Sequence, residues 1–407
     1  MEETIFLKKY INLLCYDKPN NSLPFLLFLV LAVVTLTNIL LAILDESDAD
    51  VFKEGIKDIF TLTLVFSCTV EQSLNPQRAL NLVQLIDDDF LVNQHDFVDR
   101  QDTWARISKL HATKIKSIKK KFQYLSCFFI LIFVGYFFKH LFNHGMRIAV
   151  VSDESSRLLT PFLLYRLQQQ TSESSATAFF IYAYCLHVLA VVSICSEGYV
   201  VVSTACLSSE KLLGDFETFF LLLDCLTNDF SDSSTDHVDD HSLGSKEANL
   251  RKDMALVVRC HQNINRKFRI CAANSAFAIT ATIAVFVNDS VFAFFMLKAK
   301  SAKRAVSFAL MLIVENVTMF LIYQNGQRIF NQNDKLRKCL AGLPWINKPR
   351  WFRQTVLNMM TRANVDTEMR PYGIFVLNYM SFKDLMKLTF SVGNVLYTTK
   401  LANQSQQ

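Results

Sequence analysis

The residues best placed to do chemistry fall in one line near the end of the chain: Asp384, Lys387, Ser391, Asn394 and Thr398. Their separations of 3, 4, 3 and 4 residues put them on one face of an α-helix. Around them the segment 381–400 is apolar, with Leu385, Met386, Leu388, Phe390, Val392, Val395 and Leu396. A polar stripe on a helix in lipid must face water, a cavity or another protein surface. What it offers is a wet path rather than bond making. The sequence has no HExxH, no GxSxG and no Gly-rich phosphate loop, and only 10 glycines, so no enzyme and no cofactor is expected. His237 and His241, beside Asp236, Asp239 and Asp240, read as a solvated acidic loop and not as a metal site.

The elements that must carry this stripe are long and apolar. Charged residues make up 19% of the 407 residues, against about 25% in an ordinary soluble domain. Several runs approach the ~20 residues a helix needs to cross a bilayer. Spans are expected near 24–44, 54–74, 122–142, 177–202, 269–297 and 304–328, with 381–400 as the seventh. The expected fold is therefore all-α, a polytopic membrane protein embedded in a lipid bilayer. Its parts are a membrane domain over 1–335, an anchor helix region over 336–370 and the last helix. Helical segments at 101–123, 208–226 and 246–269 carry apolar faces beyond the spans, and such faces need partners. The Asp- and Ser-rich stretch 228–245 reads as a disordered linker between two of them. No CxxC spacing occurs among the 10 cysteines, which read as reduced packing residues.

Orientation follows from the basic residues. Of the Lys and Arg between spans, 29 fall on the side of the N-terminus and nine on the other, although the loop Lys298–Arg304 runs against that bias. The N-terminus is expected in the cytoplasm and, after seven crossings, the C-terminus outside. That is opposite to a G-protein-coupled receptor. The formal charge of +5 reflects this loop asymmetry, and no nucleic-acid partner is expected.

Several segments carry a family resemblance. Leu336-Arg337-Lys338, then Pro344-Trp345, then RPYGIFVLNYMSFKDLMKLTFSVGNVLYTTK from Arg370 resemble insect odorant receptors. Within the last helix Phe382, Leu385, Met386, Lys387, Phe390, Ser391 and Leu396 stand at the family's characteristic places. CHQNINRKF from Cys260 resembles the family's region before the fifth span. Related gustatory receptors end in Thr-Tyr and Gln-Phe, where this chain has Ser391-Val392 and Thr398-Thr399. The long cytoplasmic insertion of the odorant co-receptor is also missing, so the chain resembles a tuning receptor.

The resemblance implies a ligand-gated, non-selective cation channel in the plasma membrane of olfactory sensory neurons, built as a heterotetramer with the co-receptor. It implies a central pore lined by the last helix, with an apolar constriction at Val395. Asn394, Thr398 and Thr399 would form the outer mouth, with Ser391 and Lys387 along the inner path. Asp384 and Lys387, one turn apart, are either a vestibule pair or a simple neutralising pair. A small volatile organic ligand would bind in the outer half of the membrane through apolar burial. Candidate walls are Phe60, Leu64, Phe133, Tyr136, Phe137, Phe180, Tyr184, His187, Phe308 and Met311. His187 and Glu315 are ionisable groups inside spans. Glu315 has two readings, a salt partner or a neutral carboxyl. A gustatory receptor-like channel needing no co-receptor and a non-channel membrane protein are the alternatives.

Overall fold

The computed structural model describes residues 5, 7–9, 23–44, 49–98, 100–148, 173–232, 240–297, 302–346, 348–365 and 368–405. Among these the regular secondary structure is helical. The helices are α1 (Leu23–Leu44), α2 (Ala49–Leu74), α3 (Pro76–Asp87), α4 (Gln101–Ile148), α5 (Glu173–Asp232), α6 (Asp240–Leu297), α7 (Ala302–Ala341), α8 (Arg350–Ala363) and α9 (Tyr379–Ser405). Each expected span falls within one of them. Residues 228–232 and 240–245 of the expected linker are helical, as the ends of α5 and α6, and 233–239 lie outside the described residues. Two described stretches, Val188–Thr227 and Glu247–Phe294, are long and apolar enough to cross a membrane by length and composition alone.

Helix length sets the architecture. α5 holds 60 residues and so runs for about 90 Å, three times the ~30 Å hydrocarbon thickness of a bilayer. Such a helix lives in two solvents, one half against lipid and the other against protein. The two halves read differently. Apolar side chains of α1 such as Leu27, Val30 and Val33 point outward, as do Leu310 and Ile313 of α7. A contiguous apolar surface of that kind suits lipid and is rare on a water-soluble monomer. At the other end Leu212, Phe216, Phe219 and Leu223 of α5 repeat at helical spacing and are buried. They pack into one core with Val257 and Ile264 of α6, Leu336 and Leu340 of α7, and Phe352 and Val356 of α8. Each such side chain contributes about 1.5–3 kcal/mol by leaving water.

Charges inside this bundle are paired across helices. Lys267 of α6 donates to Asp215 of α5 at 2.8 Å and to the Asp89 carbonyl at 3.1 Å, which ties down the chain after α3. Glu210 of α5, 3% exposed, accepts from Arg328 of α7 and Lys121 of α4. Removing Lys267 or Asp215, both nearly inaccessible, costs about 3–5 kcal/mol because the remaining charge is stranded, whereas Glu210 keeps a second cation when one is lost.

Two histidines sit at the same junctions. The His111 ring stacks on Phe90 at 4.2 Å and its Nε2 lies 3.1 Å from the Thr218 hydroxyl. His261 lies beside Phe219, 5.9 Å between ring centroids. Burial pushes each imidazole down to about 4, helped by Lys211 near His111 and by Arg362 near His261. Just above the ordinary histidine value both rings are neutral in the folded and the unfolded chain, so they contribute no pH dependence there. Below it the unfolded chain takes up protons that the folded chain refuses. The thermal midpoint of the detergent-solubilised protein is therefore expected to hold above about pH 6.5 and fall towards pH 4. A midpoint unchanged over that window would show that these rings are not buried as described.

The approach to α9 is fixed by a close contact. Tyr372 has φ 49° and Gly373 φ 72°, so the Arg370–Gly373 turn reverses sharply. The following strand of chain passes over Gly326 of α7. A Cβ there would run into the Leu377 carbonyl oxygen. The Asn378 side chain then accepts from Ser381 N at 2.8 Å, capping the first turn of α9. Gly326→Ala is expected to displace this segment and reduce the folded fraction, read as lost surface delivery and a lower thermal midpoint. Wild-type delivery and midpoint in that variant would contradict the contact.

Candidate functional site

A cavity of about 270 Å³ lies where α2, α4, α5, α6 and α7 meet. Its α2 wall is Thr61, Leu64, Val65 and Cys68, the i, i+3, i+4, i+7 face of a helix. Phe129 and Ile132 come from α4, Val191 and Val201 from α5, Ala281 and Phe286 from α6, and Met311 and Met319 from α7. This is an apolar wall of the kind that takes a small ligand.

One pole of the cavity is polar and organised around Asp289 of α6. Its Oδ1 accepts from the Thr61 hydroxyl at 2.6 Å and from the Asn288 amide at 2.9 Å. Asn288 also donates to the Thr61 hydroxyl at 3.0 Å and to the Lys57 carbonyl at 3.3 Å. The amide of this N-x-S sequon is thus engaged within the bundle. Lys57 pairs with Asp58 at 2.9 Å, and Glu315 of α7 lines the same cavity. Glu197 of α5 also lines the cavity, and its Oε1 accepts from Gln72 at 2.6 Å.

Of the expected wall residues, Leu64 and Met311 line this cavity. Phe60 does not: it is 46% exposed, about a quarter turn from the lining face of α2, so its ring points out of the bundle. Phe133 is half-buried just beyond the α4 wall, where Phe129 and Ile132 form the lining instead. The side chains of Tyr136, Phe137, Phe180, Tyr184, His187 and Phe308 lie outside the described residues. Lys57, Asp58, Glu197 and Asp289 escaped the sequence reading as site residues. Their signal was present, because ionisable side chains in or beside apolar runs mark sites by default.

α9 presents a second feature. Leu385, Thr389 and Gly393, four residues apart, are buried against α6 and α7. A Cβ on Gly393 would meet Phe294 Cβ at 2.8 Å and the Val291 carbonyl oxygen at 3.1 Å, so the helices touch backbone to side chain. The opposite face carries Asp384, Lys387, Ser391, Asn394 and Thr398, all exposed. Val395 stands beside that stripe, 61% exposed. The hydroxyls of Thr398 and Thr399 donate to the Val395 carbonyl, each at 2.9 Å. Among the described residues no ion pair joins Asp384 to Lys387. The stripe thus faces away from the rest of its own chain.

A ligand-sized, largely apolar cavity inside a bundle of long helices suits an all-helical membrane protein that holds a small ligand. Comparison with known proteins narrows this. The family model described as 7tm Odorant receptor matches residues 93–390. The chain belongs to the odorant receptor family, and it functions as an odorant receptor, not an enzyme. Its fold is similar to that of the insect olfactory receptor OR5 from Machilis hrabei, solved alone and in complex with eugenol. In both cases the TM-score is 0.65 at 14% identity, over 91% of this chain and 88% of that one. No curated protein matches by sequence.

Filling the cavity tests its use directly. Ala281→Phe places a ring where α6 lines the space. In the wild type a small apolar ligand at a hundredfold excess over its Kd is expected to stabilise the fold by about 2.7 kcal/mol. The variant is expected to lose that ligand-dependent rise in thermal midpoint while keeping its ligand-free value within a few degrees. An unaltered rise would place binding elsewhere.

Proposed function

We propose that this chain is the odorant-binding, tuning subunit of a ligand-gated, non-selective cation channel. It works in a heterotetramer with the odorant co-receptor, in the plasma membrane of olfactory sensory neurons. Seven spans carry it, with the N-terminus in the cytoplasm and the C-terminus outside. The observation that carries the channel reading is the α9 stripe, whose polar residues lie opposite the face that packs on α6 and α7. Hydrated cations need dipoles along their route, and a ring of such stripes supplies them. Val395 forms the apolar constriction, which closes by dewetting. Asn394, Thr398 and Thr399 form the outer mouth, and Ser391 and Lys387 the inner path.

The ligand binds in the cavity between α2, α4, α5, α6 and α7, with Leu64 and Met311 among its contacts. Tyr136, Phe137, Phe180, Tyr184, His187 and Phe308 are proposed to complete its outer end. Binding there shifts α6 and α7, against which α9 is packed, so that cavity and pore are mechanically joined through shared helices.

Recording odorant-evoked current with and without the co-receptor tests the assembly. Current only in the pair is expected. Current from this chain alone indicates a gustatory receptor-like homomer, and silence to a broad odour panel a non-channel protein. In the functional pair, Val395→Cys treated with a charged thiol reagent is expected to change the evoked current severalfold. A current indifferent to the reagent would remove Val395 from the pore.

A further inference from the structure

Among the residues that line the cavity, four are carboxylic acids and one is a base: Asp58, Asp289, Glu197 and Glu315 against Lys57. Lys57 is already engaged with Asp58 at 2.9 Å. Asp289 is held by Thr61 and Asn288 through one oxygen. Two carboxylate oxygens then stand out. Glu315 Oε2 and Glu197 Oε2 are buried and receive no hydrogen bond from an N–H or hydroxyl donor within the described residues, and the Glu315 carboxyl meets that of Asp289. Glu197 is 3% exposed, so solvent does not reach its free oxygen from outside the bundle. The acids come from four different helices: Asp58, Asp289 and Glu315 gather at the Thr61 end of the cavity, and Glu197, bonded to Gln72 about 16 Å further along α2, stands at the other.

Helix-forming sequence does not require such convergence, and burial of unpaired acceptors opposes folding. A cavity with a surplus of carboxyl oxygens and with Asp289 fixed at one pole is complementary to a small cation carrying N–H donors. The apolar walls suit a short hydrocarbon body. We infer that the ligand of this cavity is a volatile amine, bound as its ammonium ion. Its N–H groups donate to Glu315 and to the Asp289 pole, and its alkyl part lies against Met311, Val201 and Phe286. This rests on the proposed odorant-binding reading of the same cavity. It adds the chemical class.

Charge-assisted hydrogen bonds distinguish an amine from the alcohol of identical shape. The experiment applies 3-methylbutylamine and 3-methylbutanol to cells expressing the chain with the co-receptor, with surface labelling to confirm delivery. The amine is expected to activate at a concentration at least tenfold lower than the alcohol. Glu315→Gln, which keeps the shape of the side chain, is expected to raise the half-maximal amine concentration about ten- to hundredfold and to shift that of the alcohol by at least fivefold less. Asp289→Asn is expected to do the same. Equal potency of the two compounds, or equal shifts for both in the variants, overturns the amine inference while leaving the cavity as an odorant site. Activation by neutral odorants alone does so as well. Silence of the delivered wild type to both compounds and to a broad odour panel overturns the odorant-binding reading, and the inference with it.

Discussion

A charged or hydrogen-bonding group in hydrocarbon has to find a partner, a ligand or water, and this constraint organises the whole molecule. It forces the backbone into helices, which satisfy their own N–H and C=O groups. It then dictates how those helices are turned. Leu27, Val30 and Val33 face outward, while Asp289, Glu315 and Glu197 face a shared interior space. The side chains of α9 obey the same rule in another way. Its small and apolar face packs against α6 and α7, leaving the polar stripe for a surface that this chain does not itself supply.

Helix length extends the constraint beyond the membrane. A 60-residue helix cannot be stabilised by lipid alone, so its remainder builds a protein core with neighbours of similar length. There the environment permits ion pairs, and these are placed between helices. Asp215 with Lys267 joins α5 to α6, and Glu210 joins α5 to both α4 and α7. The core around Phe216 and Phe352 supplies the stabilisation, and the ion pairs restrict how the helices can slide past one another. Gly326 and Leu377 connect this bundle to α9 through a contact with no spare room. Gly326 of α7 thus lies directly against the segment that leads into the last helix.

The legible features in the sequence were those set by neighbours along the chain. The apolar runs at 24–44 and 269–297 mark helices because periodicity and length are local properties. The stripe from Asp384 to Thr398 is legible for the same reason: spacings of 3 and 4 define a helix face wherever the helix sits. The cavity was not legible in this way. Thr61 lines it and Phe60 does not, although they are adjacent, and only the rotation of α2 against α6 separates them. Phe129 in place of Phe133 is the same lesson on α4, a matter of one helical turn along the axis.

The sequence by itself determined that this protein is helical, that it belongs in lipid, and that its last helix carries a polar stripe along one face. Composition and periodicity are sufficient for these, because the solvent acts on each segment separately. Tertiary structure alone decided where the charges meet. Lys57 and Asn288 are 231 residues apart in the chain, yet the amide of one donates to the carbonyl of the other, and Asp289 and Glu315 complete the same pole. Read singly, each was a polar residue in or beside an apolar run. Packing five helices around one space made them a site, because a low-dielectric interior leaves such groups only one another, or a ligand, to bind.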